Sequence, residues 1–276
     1  MKLLVVGGNG MAGHMLVRYF RTIPGIQIEY TTRRPDDSGG IPLEAADFER
    51  VSSVVVERKP DAIVNAVGLL NADAERHPLA AYRVNAWLPH WLRHVADQAG
   101  ARLIHISSDC VFSGARGRYT EHDVPDNPTV YGRTKALGEV TDARHLTIRT
   151  SIVGPDGNAG GIGLLKWFLE QRGTVRGYSS VYWNGVTTLE LAKAVHYALE
   201  RPHIGGLVQL AAPETVSKLE LLRLFQAIIG HDGVTIVPSA EPANDRSLVS
   251  TRADWTFEPP PYRMMLAELA EWMRTV

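Results

Sequence analysis

The stretch MKLLVVGGNGMAGHML, residues 1–16, decides how the rest of the chain is read. Leu3–Val6 is an apolar run without alternation, the pattern of a strand buried on both faces of a parallel sheet. It runs straight into Gly7, Gly8, Gly10 and Gly13, where helical spacing begins. Gly7, Gly10 and Gly13 satisfy G-x-x-G-x-x-G, and Gly8, Gly10 and Gly13 satisfy G-x-G-x-x-G. Either register supplies a tight turn off a strand, a bare backbone that a pyrophosphate can approach, and close packing of the following helix. The unpaired N–H groups and positive dipole end of that helix then face the phosphates. The expectation is a dinucleotide site on Gly7, Asn9, Gly10, Met11 and Gly13.

The same kind of apolar run returns at IQIEY (26–30), AIVNAVG (62–68), RLIHIS (102–107) and LTIRTS (146–151). Segments with helical spacing, 10–22, 47–58, 78–99 and 130–142, separate them. This alternation predicts βαβ units and an α/β, doubly wound, Rossmann-like parallel sheet over 1–150. After 151 the rhythm loosens into a glycine-rich GPDGNAGGIG, helical stretches at 187–200, 217–229 and 262–274, and short runs such as GLVQLAA. Residues 151–276 read as a smaller α+β substrate lobe, with some segments returning to the sheet.

Composition narrows the function classes. With 276 residues, 45% of them apolar, the chain can bury a sizeable core. Lys plus Arg (29) nearly balances Asp plus Glu (30), which leaves no electrostatic footprint for nucleic acid or an anionic membrane. The single cysteine, Cys110, excludes an intrachain disulfide. The apolar run before the glycines is too short for a signal-peptide core, and no run approaches a membrane span, so the expectation is a cytoplasmic protein with a small-molecule partner.

The end of the second strand bears on which dinucleotide binds. An NAD site usually places an acid there for the ribose hydroxyls, whereas this chain has Thr31, Thr32, Arg33 and Arg34. Arginine at that point suits a 2′-phosphate, so NADPH is expected, with NADH the alternative if Glu29 is the ribose acid.

YGRTK places Tyr131 and Lys135 one helical turn apart on the same face. A phenol is a poor acid at neutral pH, but an adjacent ammonium favours its phenolate and moves it towards the working range. Such a phenol can protonate a ketone as it becomes an alkoxide. The preceding strand ends in Ser107-Ser108-Asp109, beyond the carboxyl end where open α/β sheets bind ligands, and Ser108 can hydrogen-bond a carbonyl oxygen there.

The glycine turn, VNAVG (64–68), YRVNAW (82–87), SSDCVFSG (107–114), Y-x-x-x-K (131–135) and RTSIVG (149–154) occur in order over most of the chain. Together they resemble the extended short-chain dehydrogenase/reductases, in particular the nucleotide-sugar 4-ketoreductases. The resemblance implies hydride transfer from nicotinamide to the C4 ketone of a nucleotide-linked deoxysugar, with Tyr131 as proton donor. Lys135 would hold the nicotinamide ribose and tune Tyr131, and Ser108 would orient the carbonyl. Asp47 and Phe48 would flank the adenine, and Ala66, Val67 and Gly68 would line the cofactor by backbone. Cys110, Val111 and Ile152 would line the sugar pocket, while Trp183, Asn184 and Arg246 would close over sugar and diphosphate. A nucleotide sugar is the implied partner, and a homodimer is left open.

The chain departs from the family at the substrate end. Rhamnose-pathway members carry tyrosine where it has Cys110 and tryptophan where it has Ile152, and WNGVTT replaces their G-x-P-T, with Thr187 or Thr188 in the threonine's place. These changes predict a reshaped sugar pocket. An epimerase or dehydratase uses the same Ser, Tyr and Lys, although SSDC lacks the Asp-Glu pair usual in 4,6-dehydratases. A non-catalytic cofactor-binding regulatory subunit is the third alternative. His90 and His94 stand one turn apart but lack the glutamate of H-E-x-x-H and read as a helix face, not a zinc site. No metal is expected.

Overall fold

The computed structural model describes residues 1–157 and 160–275; Asn158 and Ala159 of the glycine-rich stretch, and Val276, lie outside the described residues. The first half repeats strand and helix. β1 (Lys2–Val6) leads to α1 (Met11–Arg21), β2 (Gln27–Thr32) and a short β3 (Ile41–Pro42), and α2 (Phe48–Arg58) leads to β4 (Ala62–Asn65). The short α3 (Asn71–Arg76) and α4 (Pro78–Ala81) continue through a wide helical segment at Tyr82–Trp87 into α5 (Leu88–Ala99), then β5 (Arg102–Ile106), α6 (Val130–Leu137) and β6 (Leu146–Thr150). Beyond these come β7 (Ile152–Val153), α7 (Leu164–Glu170), β8 (Gly173–Tyr178), β9 (Val181–Trp183), β10 (Val186–Thr187), α8 (Thr188–Leu199) and β11 (Gly206–Leu210). The chain ends with β12 (Val216–Ser217), α9 (Lys218–Phe225), β13 (Val234–Ser239), β14 (Asn244–Asp245) and α10 (Tyr262–Arg274).

Seven strands form one parallel sheet in the order β11-β6-β5-β4-β1-β2-β3. The chain builds outward from β1 through β2 and β3, then crosses to β4 on the other side. This reversal makes a switch point above the carboxyl ends of β1 and β4, where ligands bind in such sheets. Period-2 alternation feeds both faces: Leu3 and Val5 enter the cluster that holds Met15, Leu16 and Phe20 of α1 and Val195 of α8. Leu4 and Val6 enter a second cluster with Val51, Val54 and Val55 of α2 and Leu92 and Val95 of α5. Burial on both faces is why these strands show no polar alternation.

Helix ends follow local chemistry. Asp47 caps α2 by accepting the Arg50 N–H at 3.0 Å, and Ser217 and Glu220 close a capping box on α9. The expected helix over 130–142 stops at Leu137, because Gly138 lies so close to the wide segment that a Cβ there would sit 2.0 Å from the Asn85 carbonyl oxygen.

The second half both returns to the sheet and builds away from it. β11 pairs in parallel with β6 at the sheet edge, and α8 packs against α1. Three small ribbons, β7–β10, β13–β8 and β12-β9-β14, lie apart from that sheet. No helix among the described residues is long and apolar enough to cross a membrane.

Candidate active site

The four N-terminal glycines divide into two kinds. Gly7 has φ +92°, and a Cβ on it would lie 2.7 Å from Val67 Cγ2; one on Gly8 would lie 2.3 Å from the Tyr30 ring, and one on Gly13 2.0 Å from the Gly7 carbonyl oxygen. Packing within the protein therefore requires these three. Gly10 differs: the nearest atom to its would-be Cβ is 3.6 Å away, and the corresponding distance at Gly68 is 3.7 Å. The helix N-terminus at Gly10 has no side-chain cap and no acid in its first turn. An open, uncapped, positively polarised turn suits the diphosphate of a dinucleotide.

Around this turn, Thr31 Oγ1 accepts the Gly7 N–H at 3.0 Å, and Asn9 Nδ2 donates to Asp37 at 2.9 Å. Asp37 also accepts from the Tyr30 hydroxyl at 2.8 Å. Glu29 sits in the middle of β2, paired with Lys2 and Arg58 at 3.5 Å, away from the strand end. Arg33 and Arg34 are exposed just past that end, where Arg34 pairs with Asp36 at 2.9 Å. Asp47 is occupied as a helix cap, and the Phe48 ring stacks on Trp91 with the Arg83 guanidinium 5.5 Å over it, so both side chains already have protein partners. Met11 points its methyl at Gly163, and the Ala66 N–H extends the ladder to Val6 at 3.0 Å.

Across the switch point, α6 carries Tyr131 and Lys135 to the carboxyl end of β5. Thr129 caps the helix by accepting the Gly132 N–H at 3.0 Å. Gly132 lets it close in, since a Cβ there would lie 2.6 Å from the Cys110 carbonyl oxygen. Asn127 fastens the other side, donating to that same carbonyl at 2.8 Å and accepting from the Thr129 N–H at 3.0 Å. The result brings the Tyr131 phenol near enough to Ser108 for that hydroxyl to lower its pKa, while Ser108 Oγ accepts the Cys110 N–H at 3.1 Å and donates to Asp109 at 3.2 Å.

Lys135 is 3% exposed and turns its Nζ to the Ile106 carbonyl at 2.7 Å, two residues before Ser108. Burial draws its pKa down to about 8, with the nearby Glu139 carboxylate pulling the other way. Burial, Cys110 and Asp109 push the Tyr131 phenol above its ordinary range, against the Ser108 hydrogen bond, which lowers it. The expected lowering of the phenol by its lysine neighbour is not seen here, because Nζ is held by the end of β5.

The remaining substrate-side residues separate. Cys110 is half-buried, with Arg246 Nη1 3.7 Å from its sulfur, and its thiol is pushed up to about 12, chiefly by burial. Such a thiol is no nucleophile. Arg246 lines a cavity of about 750 Å³ together with Lys218, Arg176, Trp167, Val175 and Leu222. Val111 is fully buried in a small cluster with Phe112, Tyr119 and Leu248 and does not line that cavity. Asn184 spends its amide on the Leu248 backbone, at 2.8 Å and 2.9 Å, as a tie between distant segments. Trp183 is buried, donates to Ser151 Oγ at 2.8 Å and carries the Lys218 ammonium 4.6 Å over its ring. Ile152 pairs across to Val186. His90 accompanies the Leu137 carbonyl at 2.8 Å, and among the described residues no three metal-ligating side chains gather.

Several residues of the site carry no signal in the sequence pattern. Lys218 reads as the first position of an amphipathic helix, and Asn127 as a loop polar residue. Asn85 lies inside the quoted YRVNAW: its amide exchanges bonds with the Leu69 backbone at 2.8 Å and 2.9 Å and donates to Thr134 at 3.1 Å, which ties the loop after β4 to α6.

The model of the family described as RmlD substrate binding domain matches residues 1–246. The dTDP-4-dehydrorhamnose reductase of Escherichia coli K12 is 30% identical over 229 residues, 79% of this chain and 74% of that protein. A hypothetical dTDP-4-dehydrorhamnose reductase from Sulfolobus tokodaii superposes with a TM-score of 0.80 at 25% identity, covering 93% of this chain and 95% of that one. The Bacillus anthracis dTDP-4-dehydrorhamnose reductase, solved in complex with NADP, superposes at 0.83 with 19% identity, covering 100% and 99% respectively, a likeness of fold.

Proposed function

The chain belongs to the RmlD substrate binding domain family, and from that premise we propose that it is an NADPH-dependent oxidoreductase reducing the C4 ketone of a nucleotide-linked 4-keto-6-deoxy sugar. The observation that carries this reading is that α6 brings the Tyr131 phenol near enough to Ser108, at the end of β5, for that hydroxyl to lower its pKa, beside the switch point that the glycine turn opens. The dinucleotide, when bound, supplies a hydride from its reduced nicotinamide.

The protein's own groups do the rest. Gly10 and Gly68 leave room for the diphosphate and the nicotinamide half, and Arg33 and Arg34 stand where a 2′-phosphate would be read. Ser108 donates to the sugar carbonyl oxygen and orients it. Tyr131 gives its proton to that oxygen as it becomes an alkoxide, and burial keeps the phenol protonated in the free protein. The Lys135 ammonium steadies the ribose and then the tyrosinate. The cavity beyond Cys110, with Arg246, Lys218 and Arg176 among apolar walls, suits a substrate with an anionic diphosphate and a planar base.

The purified protein, given NADPH and a panel of nucleotide-linked 4-keto-6-deoxyhexoses, consumes the cofactor with one or more of them, read as loss of reduced-nicotinamide absorbance. Binding of both ligands with no oxidation anywhere on the panel contradicts the proposal.

A further inference from the structure

His105 lies in the middle of the parallel sheet, on β5, with none of its surface exposed. Its Nδ1 is 3.1 Å from Asn65 Nδ2, and its Nε2 is 3.5 Å from Lys135 Nζ. Nothing in the proposed chemistry accounts for a titratable ring placed behind Lys135. Building on the reading of the site given above, we infer that His105 is a positioning residue for the reaction, acting on the charge of Lys135 through an Nε2–H directed at its amine.

The tautomer follows from the hydrogen bonds. Asn65 Oδ1 accepts the Val67 N–H at 3.2 Å, which fixes the Asn65 amide and turns its Nδ2 donor towards His105. Nδ1 of the imidazole must therefore accept. The ring is neutral: burial holds its pKa well below the usual value, and Lys135 and His90 lower it further. A neutral imidazole with an accepting Nδ1 carries its proton on Nε2.

That N–H faces Lys135. An ammonium has three donors and no lone pair, so an N–H pointed at it disfavours the charge, whereas an uncharged amine can accept that N–H while donating to the Ile106 carbonyl. The other charged neighbour, Glu139, acts in the opposite sense from just past the end of α6 and is itself held by Arg149, Nε to Oε1 at 2.8 Å. Lys135 thus sits between a fixed N–H donor and a fixed carboxylate. Burial is the main cause of the lysine's lowered pKa; the donor adds to it, lowering further the pH above which the lysine loses the charge that the tyrosinate needs.

Two readouts test this. The first uses the free wild-type protein and no turnover: two-bond ¹H–¹⁵N correlation spectra assign the ring by comparison with His105→Asn. The Nε2–H tautomer is expected; an Nδ1–H tautomer or an imidazolium at neutral pH overturns the inference.

The second is the alkaline limb of the kcat profile. His105→Gln keeps an amide donor at the Nε2 position and leaves the limb in place. His105→Asn keeps the Asn65 contact, loses the donor and moves the limb up by about one pH unit, with KM for substrate unchanged. A limb that stays put in the Asn variant, or shifts equally in both, overturns the role. If the wild type turns over no keto sugar, the proposed function fails while the tautomer measurement still decides His105.

Discussion

The Cα of Gly13 packs so closely on Gly7 that a Cβ would stand 2.0 Å from the Gly7 carbonyl oxygen, whereas one on Gly10, in the same turn, would meet nothing nearer than 3.6 Å. The two glycines therefore do different work. Gly13→Ala forces α1 away from β1 and lowers stability by about 2 kcal/mol or more, of the order expected for overpacking. Gly10→Ala leaves the unfolding midpoint within about 0.5–1 kcal/mol of wild type but weakens NADPH binding at least about tenfold, because the methyl would stand where the proposed site holds the diphosphate. Chemical denaturation and cofactor titration of both variants separate the two effects.

Cofactor preference is expected to reside in Arg33 and Arg34. Glu29 is held in mid-strand by Lys2 and Arg58, and Arg34 would have to exchange its pairing with Asp36 for a 2′-phosphate. Replacing both by alanine lowers NADPH affinity by about 10- to 100-fold, as charge-assisted bonds are worth roughly 1.5–3 kcal/mol each and these are exposed. NADH affinity changes little. Equal losses for the two cofactors would remove the arginines from that role.

The depressed pKa of Lys135 gives two pH effects of defined sign. In the free protein the ammonium is lost as pH rises through about 8, so kcat/KM falls above that point. Stability moves the other way: the unfolded lysine holds its proton to about 10.4 and the folded one only to about 8, so the cost of burying the charge is full below pH 8 and fades as pH rises between these values. Unfolding midpoints measured at pH 7.5 and 9.5 should show Lys135→Met losing that slope.

Much of this architecture is legible in the sequence because its causes are local. Strands buried on two faces read as unbroken Leu, Val and Ile, and a strand-to-helix turn that must pass within van der Waals contact of itself reads as Gly7, Gly8 and Gly13. Y-x-x-x-K marks one face of one helix turn. What stays hidden depends on partners far away in the chain. Asn184 looks like a substrate ligand in WNG, yet Leu248, 64 residues on, takes its amide. Val111 follows Cys110 directly, but the short turn at Asp109–Val111 sends it into the cluster under Tyr119. The lowering of Tyr131 by Lys135 fails for a related reason: helix spacing brings their Cα atoms onto one face, but the carbonyl of Ile106 decides where Nζ goes.

In the proposed reaction Tyr131 supplies the proton to a keto sugar beside a bound nicotinamide. The most direct measurement compares steady-state NADPH oxidation by the wild type and Tyr131→Phe on the same nucleotide-linked 4-keto-6-deoxyhexose, with cofactor affinity checked in both. A kcat lower by about 10²–10⁴-fold is expected in the variant, at unchanged NADPH affinity. A phenylalanine variant that turns over at the wild-type rate would contradict it.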